Sequence, residues 1–205
     1  MIVIGLDPGT NESALVVFDG AAILKMAILP NDEMLDYLDA GTGCDCHGDR
    51  AFPEVARDFH VFIALRSGPR PLAIEQFESF GMAVGREVFQ TVFWSGRFAQ
   101  VYPWEFAQVT RRTVKLHICG VSRATDANIR TALIDRFGGQ EKAVGTKKQP
   151  GPLYGVKSHL WSALAIAVTY YDQHAGRPGE IRPGVVPEFD EDVTPKKKAG
   201  TSADF

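Results

Sequence analysis

Two carboxylates stand where short apolar runs give out. Residues 2–6 (IVIGL) lead into Asp7, and Leu72-Ala73-Ile74 lead into Glu75. Unbroken apolar runs of this length read as buried strands. If the two strands are neighbours in one sheet, both acids converge at its edge. Converging anions repel, and one pKa rises strongly unless a cation sits between them. Oxygen donors of this kind suit Mg²⁺ or Mn²⁺, which keep water and accept phosphate oxygens. Such ions, often paired ~3.5–4 Å apart, activate water and neutralise the leaving oxygen in phosphodiester hydrolysis. On these two residues alone the alternative stays open: an Asp that begins a turn, and a Glu solvated at a strand end.

The elements around them bear on that choice. Asp7-Pro8-Gly9-Thr10 is turn chemistry, residues 13–18 read as a second strand, and Asp19-Gly20 as a two-residue hairpin into a third strand near 22–29. Residues 30–51 are acidic and Gly-rich and read as an irregular insertion with a short helix at 33–39; a helix is expected at 53–66. Val84, Val88, Phe89, Val92 and Phe93 recur at helical spacing, so 83–99 reads as an amphipathic helix. A short strand at 100–103 and a helix or turn at 104–109 should follow. Thr125 suits the N-cap of a helix at 126–137. Residues 138–156 read as a loop, and Ser158 as the cap of a last helix ending near Tyr171. The order predicts an α/β fold: a mixed sheet of three antiparallel strands and then parallel strands, with helices on both faces. Residues 1–174 are expected to form one domain and 175–205 a flexible tail.

The net charge of −3 divides unevenly, as +7 over residues 111–157 and −10 over the rest. A polyanion responds to the local field, not the average, although part of such a run can simply line a solvated helix face. With 205 residues and 45% hydrophobic content, the chain is long and apolar enough for a substantial core. No apolar run reaches the ~20 residues of a membrane helix and no secretory leader opens the chain, so no membrane association and a cytoplasmic location are expected. The three cysteines cannot all pair within the chain, which fits a reducing compartment. Cys44, Cys46 and His47 lack the paired spacing of structural zinc sites. Trp104 or Phe80 is a candidate for stacking on an unpaired base, with packing as the default.

Taken as a set, IGLDPGT at 4–10, AIEQFESFGMAVGREVF at 73–89 and GVKSHLWSALAIAV at 155–168 resemble the RuvC family of Holliday-junction resolvases, and within it the RuvC-like nucleases of bacteriophages. The stretch from Arg123 to Gly151 is similar to the phage branch as well. The resemblance covers about 1–20 and 72–172. It implies an RNase H-like fold with four metal-binding side chains, Asp7 matching the acid of the first strand and Glu75 that of the central strand. Ala163-Leu164-Ala165 sets the register of the last helix, so the remaining two positions fall on His159 and Ser162, where relatives usually carry acids. A neutral imidazole is an acceptable substitute; a serine is a poor ligand. Asp126 and Glu78 are other carboxylates within reach in sequence, at positions that match no family ligand.

The expectation is a metal-dependent endonuclease cutting branched DNA such as a Holliday junction, homodimeric, with two Mg²⁺ or Mn²⁺ ions. Asp7, Glu75 and His159 would be catalytic, with Ser162 beside them at the metal. Lys147, Lys148, Lys157 and Arg123 are the expected phosphate contacts. Two rivals follow: a branched-DNA binding protein weakened in cleavage by Ser162, and an actin- or sugar-kinase-like ATPase, which would need a second lobe and a second glycine-rich loop.

Overall fold

The computed structural model describes residues 1–39, 70–79, 81 and 83–175. Among the described residues five strands and six helices follow one another: β1 (Val3–Asp7), β2 (Glu12–Phe18), β3 (Ile23–Pro30), α1 (Asn31–Asp39), β4 (Leu72–Gln76), α2 (Arg86–Val101), β5 (Phe106–Thr110), α3 (Arg111–Cys119), α4 (Asp126–Arg136), α5 (Gln140–Ala143) and α6 (Leu160–His174). The strands form one sheet in the order β3-β2-β1-β4-β5. β1–β2 and β2–β3 are antiparallel, whereas β1–β4 and β4–β5 are parallel. This is the mixed α/β sheet expected from the order of elements.

Alternation along the strands divides the core into two layers. Ile4, Leu6, Leu72 and Ile74 pack against Met34 and Leu38 of α1 and Phe98 of α2. Val3 and Ala73 face the opposite way, with Leu133 of α4 and Leu164 and Val168 of α6. Asp7 and Glu75 share the parity of Val3 and Ala73, so both belong to the α6 face. Because Leu6 pairs with Ile74, the two acids are the next positions across a parallel ladder. Gly5 lets α6 press directly on β1: a Cβ there would lie 2.2 Å from the Ala163 carbonyl oxygen and 2.8 Å from the Ala167 Cβ. Ala163 and Ala167, one turn apart, are thus the packing surface that brings the start of α6 to Asp7.

Several expectations change. The Asp19-Gly20 hairpin is a four-residue turn, in which Asp19 Oδ1 accepts from the backbone N–H groups of Ala21 and Ala22. α2 runs to Val101, and the following strand is Phe106–Thr110 rather than 100–103. α3 was not expected; Thr110 caps its start and Gly120, at φ +73°, ends it. Thr125 caps α4 in a capping box with Asn128, as anticipated in part. Ser158 does not cap α6, whose N-cap is His159, without a side-chain cap bond. The apolar residues of α2 have the expected spacing but the opposite orientation: Val84 ahead of the helix and Phe89, Val92 and Phe93 on it are exposed, whereas Thr91 and Phe98 are buried. Within 138–156, residues 140–143 are helical. The expected helix at 53–66, the Cys44/Cys46/His47 cluster, Phe80 and most of the tail lie outside the described residues. Among the described residues no helix is long and apolar enough to cross a membrane.

Candidate active site

The turn after β1 is braced before any side chain reaches outward. The Gly9 N–H donates to Ser13 Oγ, which donates in turn to Asn31 Oδ1 at 2.6 Å, and Asn31 Nδ2 donates to the Gly9 carbonyl. Ser13 and Asn31 are both buried. A turn whose N–H is already engaged is a scaffold for Asp7 rather than a ready phosphate cradle, which weighs against the ATPase reading.

Asp7 and Glu75 are only 7% and 6% exposed. Burial is the main force holding the Asp7 carboxyl well above the usual carboxylate range; the hydrogen bond and the charge of Glu75 push the same way, while Arg111 and Ser162 pull it down. His159 Nδ1 lies 3.2 Å from Asp7 Oδ2, and its ring is 60% exposed. Just before it, Ser158 has φ +45°, a left-handed conformation that a side chain rarely adopts. Such strain persists where the surroundings over-determine it, here in the turn that aims His159. Three of the four expected metal-site residues therefore meet around Asp7, and Ser162 acts on the same carboxyl.

The contacts run in a chain, His159 to Asp7 to Glu75. Among the described residues no group of three His, Cys, Asp or Glu side chains is arranged around an ion-sized point. The donor chemistry nevertheless fits a hard divalent cation: two adjacent buried carboxylates, which repel each other when ionised, gain most from a positive ion between them.

One participant was not anticipated as a site residue. Arg111 Nη1 donates to Glu75 Oε1 at 3.0 Å, and Nη2 donates to Asp126 Oδ1 at 2.5 Å. Asp126 thus joins the site as the partner of Arg111 rather than as a ligand. Beyond Glu75 an open cleft of about 410 Å³ is lined by Gln76, Phe77, Glu78, Arg111, Arg112 and Lys115, with Ser122. Phe77 is exposed there, whereas Trp104 packs against Tyr102 at 5.6 Å between ring centroids. Of the expected phosphate contacts, Lys157 stands two residues before His159, and Arg123 lies in the α3–α4 turn. Lys147 and Lys148 occupy the tip of a turn closed by mutual backbone bonds between Thr146 and Gln149. All four are exposed.

No protein-family model and no curated protein sequence matches the chain. Solved structures do. A structure of Thermus thermophilus RuvC shares 21% identity over 85% of this chain and 97% of its own, with a TM-score of 0.50. T. thermophilus RuvC in complex with a Holliday junction substrate shares 21% identity over 86% of this chain and 96% of its own, with a TM-score of 0.53. The mixed five-stranded sheet of this chain, in the order β3-β2-β1-β4-β5, thus has the same fold as these two RuvC structures.

Proposed function

We propose that this chain is a divalent-metal-dependent endonuclease that hydrolyses phosphodiester bonds in branched DNA, a four-way-junction resolvase akin to the RuvC-like nucleases of bacteriophages, acting in the cytoplasm. Residues 1–174 carry the activity and 175–205 are an appendage. The observation that carries this reading is the buried Asp7–Glu75 pair with His159 on Asp7, within a fold shared with a RuvC solved on a Holliday junction.

Asp7 and Glu75 would hold Mg²⁺ or Mn²⁺, with His159 and Ser162 adjoining; when bound, the ion supplies an activated water and charge neutralisation at the scissile phosphate. Once Asp7 is ionised, His159 Nδ1–H donates to it and fixes the ring, leaving Nε2 to accept a proton from the attacking water or to serve as a ligand. Lys157 and Arg123, flanking the site in sequence, and Lys147–Lys148 grip the backbone electrostatically. The cleft beside Phe77, with Arg112 and Lys115 on one wall, suits a strand leaving the cut. A junction offers two strands for paired cuts, and the exposed Phe89, Val92 and Phe93 of α2 support a homodimer.

A labelled four-way junction incubated with Mg²⁺ or Mn²⁺, beside a matched duplex, tests the proposal. Junction-selective nicks are expected. Tight junction binding without nicks under either metal would favour the second reading, a branched-DNA binding protein, which the serine at position 162 specifically supports.

A further inference from the structure

Arg111 sits against the preference of its own helix. It is the first residue of α3, directly after the N-cap Thr110, and that first turn holds Arg111 and Arg112 with no acid. The positive end of a helix dipole disfavours cations there. A residue that violates a local rule needs an offsetting gain, and for Arg111 the gain lies in its partners. Its two terminal nitrogens reach two acids on different elements, Glu75 on β4 and Asp126 at the start of α4. Charge-assisted bonds from a planar fork to two anchors hold the guanidinium in place better than either would alone. Asp126 is largely solvent-exposed, so it serves as the outer anchor, while Glu75 is buried beside Asp7.

The charge count of the site follows. With both acids ionised, Asp7 and Glu75 hold −2, and the Arg111 guanidinium on Glu75 reduces this to −1. One divalent ion reverses that charge, and a scissile phosphate then brings it to neutrality. A second divalent ion would have to share Glu75 with a fixed guanidinium at hydrogen-bond distance, and the two cations would repel.

We infer that Arg111 is the built-in cation on the Glu75 side of the carboxylate pair, so that the site would take one divalent ion, held by Asp7 and Glu75, rather than two. This rests on the metal-dependent reading above and replaces the expectation of two ions. Arg111 then supplies, permanently and without exchange, positive charge beside the reacting phosphate that would otherwise come from another ion.

The full chain titrated with Mn²⁺, with bound ion counted by electron paramagnetic resonance, tests this without reference to activity. One ion per chain is expected, lost in Asp7→Asn. Two ions per wild-type chain would overturn the inference and leave the metal-dependent reading standing; no bound ion would overturn both. Arg111→Gln, checked for folding by circular dichroism, should bind its first Mn²⁺ roughly tenfold more tightly, because one repelling charge is gone. Junction cleavage should meanwhile fall at least about tenfold, and Arg111→Lys should recover part of it. Weaker Mn²⁺ binding by Arg111→Gln would mean that the arginine merely props the carboxylates in position. Undiminished cleavage would mean that it only fills space which metal normally takes. Either result overturns the inference.

Discussion

The two ends of α6 each meet an arginine–carboxylate network, and the networks behave oppositely. At the C-terminal end, Asp172 accepts two bonds from Arg136, at 2.5 and 2.7 Å, and lies 2.7 Å from His117 Nε2. Burial pushes the Asp172 carboxyl up, but hydrogen bonds and charges from Arg136 and His117 more than reverse this, so it lies below the usual carboxylate range. Arg136 occupies the last turn of α4, where the helix dipole welcomes a cation. At the N-terminal end the dipole disfavours Arg111, and Asp7 is held far above its ordinary range beside Glu75. One network relaxes the fold and the other strains it. A single acid with its own arginine makes a clasp; two buried acids sharing one arginine, itself partly claimed by Asp126, make a site that still wants a cation.

The largest expected effect comes from removing that want. Asp7→Asn keeps the shape and loses the charge, so junction cleavage should fall by about 10³-fold or more while junction affinity persists. Stability should move the other way. A carboxyl whose folded pKa is raised favours folding most below its unfolded pKa, and that advantage disappears as pH rises through the folded value. At neutral pH without metal, Asp7→Asn should therefore raise the unfolding free energy by on the order of 1–3 kcal/mol. Near-normal cutting by the folded variant would remove Asp7 from the site, and a lower melting temperature at neutral pH would contradict the strain.

Breaking the relaxed network should do the reverse. Asp172→Asn is expected to cost about 1–2 kcal/mol at neutral pH, because Arg136 and His117 lose an ionised partner, with cleavage unchanged at temperatures where the fold holds. The lowered pKa sets the pH window: the Asp172 contribution is present above the unfolded carboxylate value, about 3.9, and is lost as pH falls through the folded one. Urea unfolding at neutral and acidic pH should show the two proteins converging in acid. A gap that stays constant with pH would mean that packing, not charge, is what Asp172 provides.

Affinity should change less. Neutralising Lys147 and Lys148 together should lower the slope of log affinity against log salt by about 1.8, near 0.9 per phosphate released. The turn itself is rigid enough to be spared: Gly145, at φ +68°, and Gly151 both press on backbone where a Cβ would not fit. An unchanged slope would show that this turn does not meet DNA.

The acids were legible because their strands are short, continuous and apolar, and because a period of two places Asp7 and Glu75 on one face once the strands are neighbours. Gly5 was not, since nothing local says that a helix more than 150 residues away needs the space. α3 was not expected although Thr110 and Gly120 bracket it, for its apolar stripe is short: Val114 is its one buried residue, with Ile118 and Cys119 partly buried beside it. In α2 the period was visible but not its orientation: periodicity says which residues share a face, not whether that face meets the core. Arg111 stayed hidden among ten cations in 111–157 because its partners lie 36 and 15 residues away in sequence. Charge runs are legible as runs; which member of a run is held by a buried acid depends on the fold.

The smallest expected effect is also the sharpest test of the contrast between the two networks. Ser162 lies one turn into α6, and its hydroxyl already acts on Asp7. Ser162→Asp would add a third acid with no arginine of its own, intensifying the strain at the N-terminal end. Without metal the melting temperature should fall, because three anions then share one guanidinium. With metal the added oxygen ligand should lower the Mg²⁺ concentration for half-maximal cleavage by roughly three- to tenfold and narrow any advantage of Mn²⁺, which accepts nitrogen ligands more readily. His159→Ala is the companion: it should cut about 10²-fold more slowly, whether the ring acts as ligand or base. If Ser162→Asp leaves the metal titration unchanged and His159→Ala cuts normally, the start of α6 does not complete the site. The strain at Asp7 would then be relieved from the opposite side, through Arg111 and Asp126.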